Sequence, residues 1–175
     1  MADLLDFGDD ATLYFDEPAT PGTGTLLDAA AAAYGRAEAE SYLLRAYFLA
    51  PEQLTVLVAL YRYYFYQHRL DDALIVAERA MQAAARRLGL PPDWQRIGPA
   101  QVAPDRAGSL PLLRFHLLAL KGSAVILLRL GRIDDARARL QKLVDLDADD
   151  PLDAASILAV VDAAGDDAAP LPIAA

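Results

Sequence analysis

Few residues in this chain are of the kinds that carry acid–base or metal chemistry. It has two histidines, His68 and His116, and no cysteine. Without cysteine, a thiolate zinc site, a cysteine-held cluster and a disulfide framework are excluded. Two histidines are too few for a histidine-rich metal site. His68 lies between Gln67 and Arg69, ahead of Asp71-Asp72, and is expected at a turn or helix end. His116 sits between Phe115 and Leu117 and is expected to be partly buried and hydrogen-bonded. Asp71-Asp72, Asp134-Asp135 and the run Asp145, Asp147, Asp149, Asp150 invite a calcium reading, but no central glycine or closing glutamate follows. The two pairs fall at helix starts, where carboxylates suit the helix dipole. No serine or threonine has a recognisable base nearby, and no glycine-rich phosphate loop follows a strand. No catalytic residue, cofactor or metal is therefore expected, and the protein is not expected to be an enzyme.

The run Tyr61, Tyr63, Tyr64, Phe65, Tyr66 is the other chemically distinctive feature. Aromatics at helical spacing belong to a core, yet five in six positions cannot all face one side of a helix. Some must meet a binding groove, a loop or another subunit. Tyrosine suits half-wet contacts because its ring is apolar and its hydroxyl is not.

These residues are positioned by a helix–turn–helix over Leu54–Leu88. The first helix is expected over Leu54–Tyr66 and the turn at Gln67-His68-Arg69. The second carries small residues at helical spacing, Ala73, Ala77, Ala80 and Ala84. Ala39, Leu43, Ala46 and Pro51 match Ala73, Ala77, Ala80 and Ala85 at an offset of 34. Ala136 matches Ala73 at an offset of 63, with Gly131 at the turn. Subtracting one repeat leaves 29 additional residues, which locates an insertion at about 86–109. Such a loop in a compact domain is usually functional or disordered. Trp94, Ile97 and Val102 lie in it and suggest that part of it packs back. Thr25 is expected to cap a first helix reaching Tyr34, before Gly35. A second helix ends near Leu49, ahead of Pro51. Ser109 and Leu110-Pro111 begin a long helix to about Leu130. Its partner runs over Ile133–Asp147, and a last helix opened by Asp150-Pro151 ends before Gly165. Residues 1–24 are expected to form a mobile acidic segment, 25–165 the helical domain, and 166–175 a tail.

Charge is segregated along the chain. Residues 1–40 hold nine acids and one base, 41–142 eight acids and fifteen bases, and 143–175 eight acids and no base. Net charge is −9, which argues against nucleic acid as the main partner. The N-terminus lacks the flank and apolar run of a signal peptide. The apolar helix after Ser109 contains Arg114, His116, Lys121 and Arg129, a poor membrane span. No membrane association and a cytoplasmic location are expected.

The alanine spacing in 34-residue helix pairs resembles the tetratricopeptide repeat. The second copy supplies Leu57, Leu60, Tyr64, Ala73 and Ala80 at the family's fixed places, and the third Leu120, Ala124, Leu127, Gly131 and Ala136. Tyr61 and Leu143 depart from the pattern, and Tyr61 implies wider spacing of its helices. The resemblance covers about residues 26–164. It implies an all-α, right-handed superhelix of about three helix pairs plus a C-terminal capping helix. It also implies a concave groove lined by the first helix of each pair. Its groove places fall on Thr55, Val58, Arg62, Phe65 and Tyr66, and on Leu118, Lys121, Val125, Leu128 and Arg129. Such a groove would take a protein or peptide that bears carboxylates and one or two apolar anchors. The N-terminal Leu13-Tyr14-Phe15-Asp16-Glu17 has that character. It could occupy the groove in cis, or in a second copy to give a homodimer.

Two stretches, YRYYFYQHRLDDALIVAERAM and RFHLLALKGSAVILLRLGR, resemble uncharacterised repeat proteins of proteobacterial nitrogen-fixation gene neighbourhoods. That likeness implies an accessory role in nitrogenase assembly or regulation. Size, acidity and architecture are also similar to small chaperones of type III secretion. The expected function is a non-catalytic interaction module, an adaptor or assembly chaperone. The alternatives are a small-ligand sensor or enzyme using His116, His68 and the tyrosine cluster, and a structural dimerisation unit.

Overall fold

The computed structural model describes residues 17–18, 20–103, 110–146 and 152–166. The described residues are helical throughout, with no strand. In chain order they form α1 (Thr23–Ala32), α2 (Glu38–Leu49), α3 (Leu54–Tyr66), α4 (Leu70–Leu88), α5 (Pro99–Val102), α6 (Leu110–Arg129), α7 (Ile133–Leu146) and α8 (Ala154–Asp166). A single 3₁₀ turn, Trp94–Arg96, precedes α5. Most of the expected N-terminal segment, the Ser109 cap, the Asp147–Asp150 run and the tail lie outside the described residues.

The helices pack largely as antiparallel hairpins: α1 on α2, α3 on α4, α6 on α7 and α7 on α8. The most extensive join in the stack is α4 on α6. Alanines explain it. Ala73, Ala77, Ala80, Ala83, Ala84 and Ala85 of α4 are all buried, and a methyl group lets neighbouring backbones approach closely. The expected insertion lies between these helices without separating them. Ile97 and Val102 are buried in it and Trp94 is half-buried against the α6–α7 core.

The second and third hairpins turn in the same way. Arg69 N–H donates to Tyr64 O, and Arg132 N–H to Leu127 O, both at 2.9 Å. The left-handed position is His68 (φ 58°) in one and Gly131 (φ 73°) in the other. This is the six-to-one closure that ends many helices. Each following helix opens identically: Arg69 Nε donates to Asp72 and Arg132 Nε to Asp135, both at 2.8 Å. The acidic pairs thus sit in first turns; the second acid of each pair is held by the arginine at the turn, and Asp134 by Arg137 within α7.

Two boundaries differ from the sequence reading. Thr25 is not the cap of α1, which begins at Thr23 after a left-handed Gly22 (φ 87°). Thr23 is buried, and its hydroxyl donates to Thr20 O at 2.7 Å beside Gln53 Oε1 at 3.3 Å, so a distant residue fixes the start. The last helix begins at Ala154, after Asp153 in a left-handed conformation (φ 53°), rather than at Pro151.

By length and composition α6 could cross a membrane. However, 13 of its 20 residues are buried within the bundle, which makes it the core helix. Tyr61 departs from the small residue its place favours, yet it is 4% exposed. Ala77, Ala80 and Ala119 border a small void around it, so the facing alanines make room for the ring.

Candidate partner-binding surface

On α3, the positions that are not buried are Thr55, Ala59, Arg62, Phe65 and Tyr66. Thr55, Ala59, Arg62 and Tyr66 follow i, i+4, i+7, i+11, a single face. On α6, Arg114, Leu118, Val125 and Arg129 form a similar stripe of exposed or half-buried residues. The helices approach each other at two places. Val58 and Tyr61 of α3 border the same small void as Phe115 and Ala119 of α6, and Arg129 reaches Phe65 and His68.

The geometry at that second place is specific. The Arg129 guanidinium lies 4.8 Å from the Phe65 ring centroid and donates to His68 Nδ1 at 3.2 Å. Arginine nitrogens only donate, so Nδ1 is the acceptor of that bond. Phe65 stacks on Tyr61 and meets Tyr66 edge-on at 5.7 Å. Tyr66 is 53% exposed, a large apolar ring left in water. Neither Arg62 nor Arg129 forms an ion pair with a carboxylate among the described residues. Most other arginines nearby are neutralised: Arg69 by Glu40 and Asp72, Arg132 by Asp135.

Of the residues anticipated from sequence, Thr55, Arg62, Phe65, Tyr66, Leu118, Val125 and Arg129 lie on this two-helix face. Val58 and Lys121 do not reach solvent there. Val58 is core. Lys121 is 8% exposed, and its ammonium donates to Leu152 O in the turn before α8. Its stem crosses the core and its head ties the last helix down. Leu57, Leu60 and Tyr64 are buried and hold the hairpin. The Tyr64 hydroxyl donates to Glu40 at 3.1 Å. Burial first, then the Glu40 charge, pushes its pKa up to about 12.

His68 occupies the turn and His116 the interior. His116 is 1% exposed, and its Nδ1 lies 3.0 Å from Met81 O. A carbonyl only accepts, so Nδ1 carries the proton. Nε2 has no hydrogen-bond partner among the described residues. Burial holds the imidazole pKa below its ordinary 6.5, against the opposing pull of the Met81 carbonyl. Among the described residues no three His, Asp or Glu side chains gather closely enough to hold a metal ion.

Two features went unread in the sequence. Arg114 continues the α6 stripe and was accessible to the same period-3.6 reading. Glu17 was not. Its carboxylate accepts from Leu54 N–H at 3.1 Å, from Thr55 N–H at 3.2 Å and from Arg87 Nη2. A residue far away in the chain thus caps α3, and no local pattern announces it.

Fold and surface together define a chain of stacked helical hairpins that presents a cation–aromatic face. No family model matches the chain, and no solved structure matches it. Over 159 residues it is 47% identical to the "Uncharacterized 19.8 kDa protein in nifW 5'region" of Azotobacter chroococcum mcd 1, covering 91% of this chain and 88% of that protein. The chain belongs to the family of that protein.

Proposed function

We propose that this protein is a non-catalytic adaptor or assembly chaperone that captures an acidic, aromatic-bearing segment of a partner protein on the α3–α6 face. In this reading the hairpins form a tetratricopeptide-like right-handed superhelix, and the face is its concave side. The shared turn geometry of the second and third hairpins supports that arrangement. The protein acts in the cytoplasm, without nucleic acid or membrane. The relative is named for its position in the nifW 5' region, which supports an accessory role in nitrogen fixation.

The observation that carries the proposal is that Arg62 and Arg129 have no carboxylate partner among the described residues and stand beside Phe65 and the exposed Tyr66. Two such arginines next to an exposed aromatic form a site suited to carboxylates and an apolar anchor. Capture from extracts of cells growing on dinitrogen tests it, comparing wild type with Arg62→Glu/Arg129→Glu. Both sites are solvent-facing, so thermal unfolding should hold while a discrete partner is lost. The same partners on both chains would remove this face from the mechanism.

A further inference from the structure

Two bulky apolar side chains stand where their own helices call for polar ones. On α2 the buried stripe is Ala39, Leu43 and Ala46. Phe48 falls two residues past it, about 200° round the helix, and is 78% exposed. On α4 the buried face carries Ala73, Ala77, Ala80 and Ala84, and Ile75 falls two residues from both Ala73 and Ala77. It is 55% exposed, among the outward Asp71, Arg79, Gln82 and Arg86. Neither position serves the core of its helix, so packing within the bundle does not account for either residue.

The two are joined through Tyr47 and Arg79. The Tyr47 and Phe48 rings lie 6.1 Å apart. Arg79 donates to the Tyr47 hydroxyl, and its guanidinium carbon is 5.6 Å from the Tyr47 ring centroid. Ile75, Arg79, Gln82 and Arg86 follow i, i+4, i+7, i+11 and, with Pro51 of the α2–α3 turn, line a cleft of about 500 Å³. The stripe is about 16 Å long. Both acids of the cleft are engaged: Glu52 accepts from Arg86 at 2.7 Å, and Glu78 accepts from Arg139. Arg79 has no carboxylate partner among the described residues. Nor has Arg45, which precedes Phe48 by three residues on the same side of α2. Tyr47 thus fixes the Arg79 guanidinium without neutralising it.

We infer that this cleft is a second docking surface, for an acidic protein segment that brings a carboxylate to Arg79 about one helical turn from an apolar anchor set against Ile75 and Phe48. Charge selects the occupant. Two cations without acids disfavour a basic segment and favour a carboxylate, whose hydrogen bond to a guanidinium is charge-assisted. The exposed apolar side chains disfavour a wholly polar one. The stripe accommodates about three turns of helix or about five extended residues. It shares no residue with the α3–α6 face, so the inference does not rest on the reading of that face. Only its consequence, an adaptor holding two segments at once, needs both.

Selection of random displayed peptides of about 16 residues on the full-length chain tests it. Peptides should emerge whose binding weakens at least about tenfold with Ile75→Asp and with Arg79→Glu, and holds with Arg62→Glu/Arg129→Glu. They should carry Asp or Glu near a bulky apolar residue. Replacing that acid by Lys should abolish binding to the wild type and restore it on Arg79→Glu. Ile75 and Arg79 are exposed, so both variants should keep the thermal midpoint. Cleft-dependent peptides without carboxylates would overturn the inference. Peptides that respond only to Arg62→Glu/Arg129→Glu would overturn it and leave the earlier proposal standing. Sedimentation as a dimer that Ile75→Asp converts to monomer would assign the cleft to a second copy, and would also overturn it.

Discussion

Arg139 is the residue whose removal most sharply tests the packing described above. It is 8% exposed and joins three elements. One guanidinium nitrogen donates to Ser123 of α6 at 2.6 Å and the other to Glu78 of α4. The ring of Trp94 lies 5.4 Å from the guanidinium carbon. Breaking a wholly buried pair costs about 3–5 kcal/mol. Two features lower the value here. Ser123 keeps its own bond to Leu120 O, and Glu78 is 40% exposed, so water rehydrates its carboxylate. A charge-assisted hydrogen bond of about 1.5–3 kcal/mol and a partly wet cation–π contact of about 0.5–1 kcal/mol remain. Arg139→Ala should therefore cost about 2–3 kcal/mol and lower the urea midpoint by about 1–1.5 M. Arg139→Met, which keeps the stem, should cost roughly half as much. Trp94 is the only tryptophan, so its fluorescence reports both the unfolding and the local contact. A loss under about 0.5 kcal/mol, within the range of ordinary surface changes, with unchanged emission would refute this reasoning.

Three further outcomes follow from single residues. His116 is held neutral by burial, so the unfolded chain binds a proton that the folded chain refuses. Its contribution is complete above pH 6.5 and is lost as pH falls from there toward the folded value. His116→Gln should flatten that part of the stability–pH curve, and equal slopes in both proteins would contradict it. Glu17→Gln should destabilise by about 1 kcal/mol through the α3 cap and Arg87. Chemical denaturation of Glu17→Gln, Arg87→Met and the double variant should show less than additive losses. Gly131→Ala should cost about 1–2 kcal/mol in thermal unfolding, because φ is 73° and a methyl group there meets nothing within 4 Å. The cost is then one of backbone conformation alone.

The hairpins were legible because local rules act on adjacent residues. Apolar period and turn residues delimit α3, α4, α6 and α7, and the offset of 63 between His68 and Gly131 holds in the backbone itself. What escaped was set across long separations. Lys121 shares a helical face with Arg114 and Val125, and nothing nearby in sequence says that a carbonyl beyond α7 takes its ammonium. Glu17 caps a helix that starts 37 residues later. Thr25 looks like a better cap than Thr23 until Gln53 is brought beside the latter. Seven of the residues anticipated for the face of α3 and α6 lie there, but that Val58 and Lys121 turn inward is decided by neighbours the period does not contain.

The methyl-lined helix α4 has a consequence for how the molecule comes apart. It is packed against both α3 and α6, and both apolar clusters include its residues. In a linear array, unfolding can stop wherever one interface is weak. Here the middle joint is the most extensive and the α2–α3 joint the thinnest, so α3 through α7 should melt as one cooperative unit, with fraying confined to the α1–α2 hairpin and α8. Amide exchange would show this as a plateau of equal protection from α3 through α7. The hairpins on either side of α4 should therefore open together rather than one at a time.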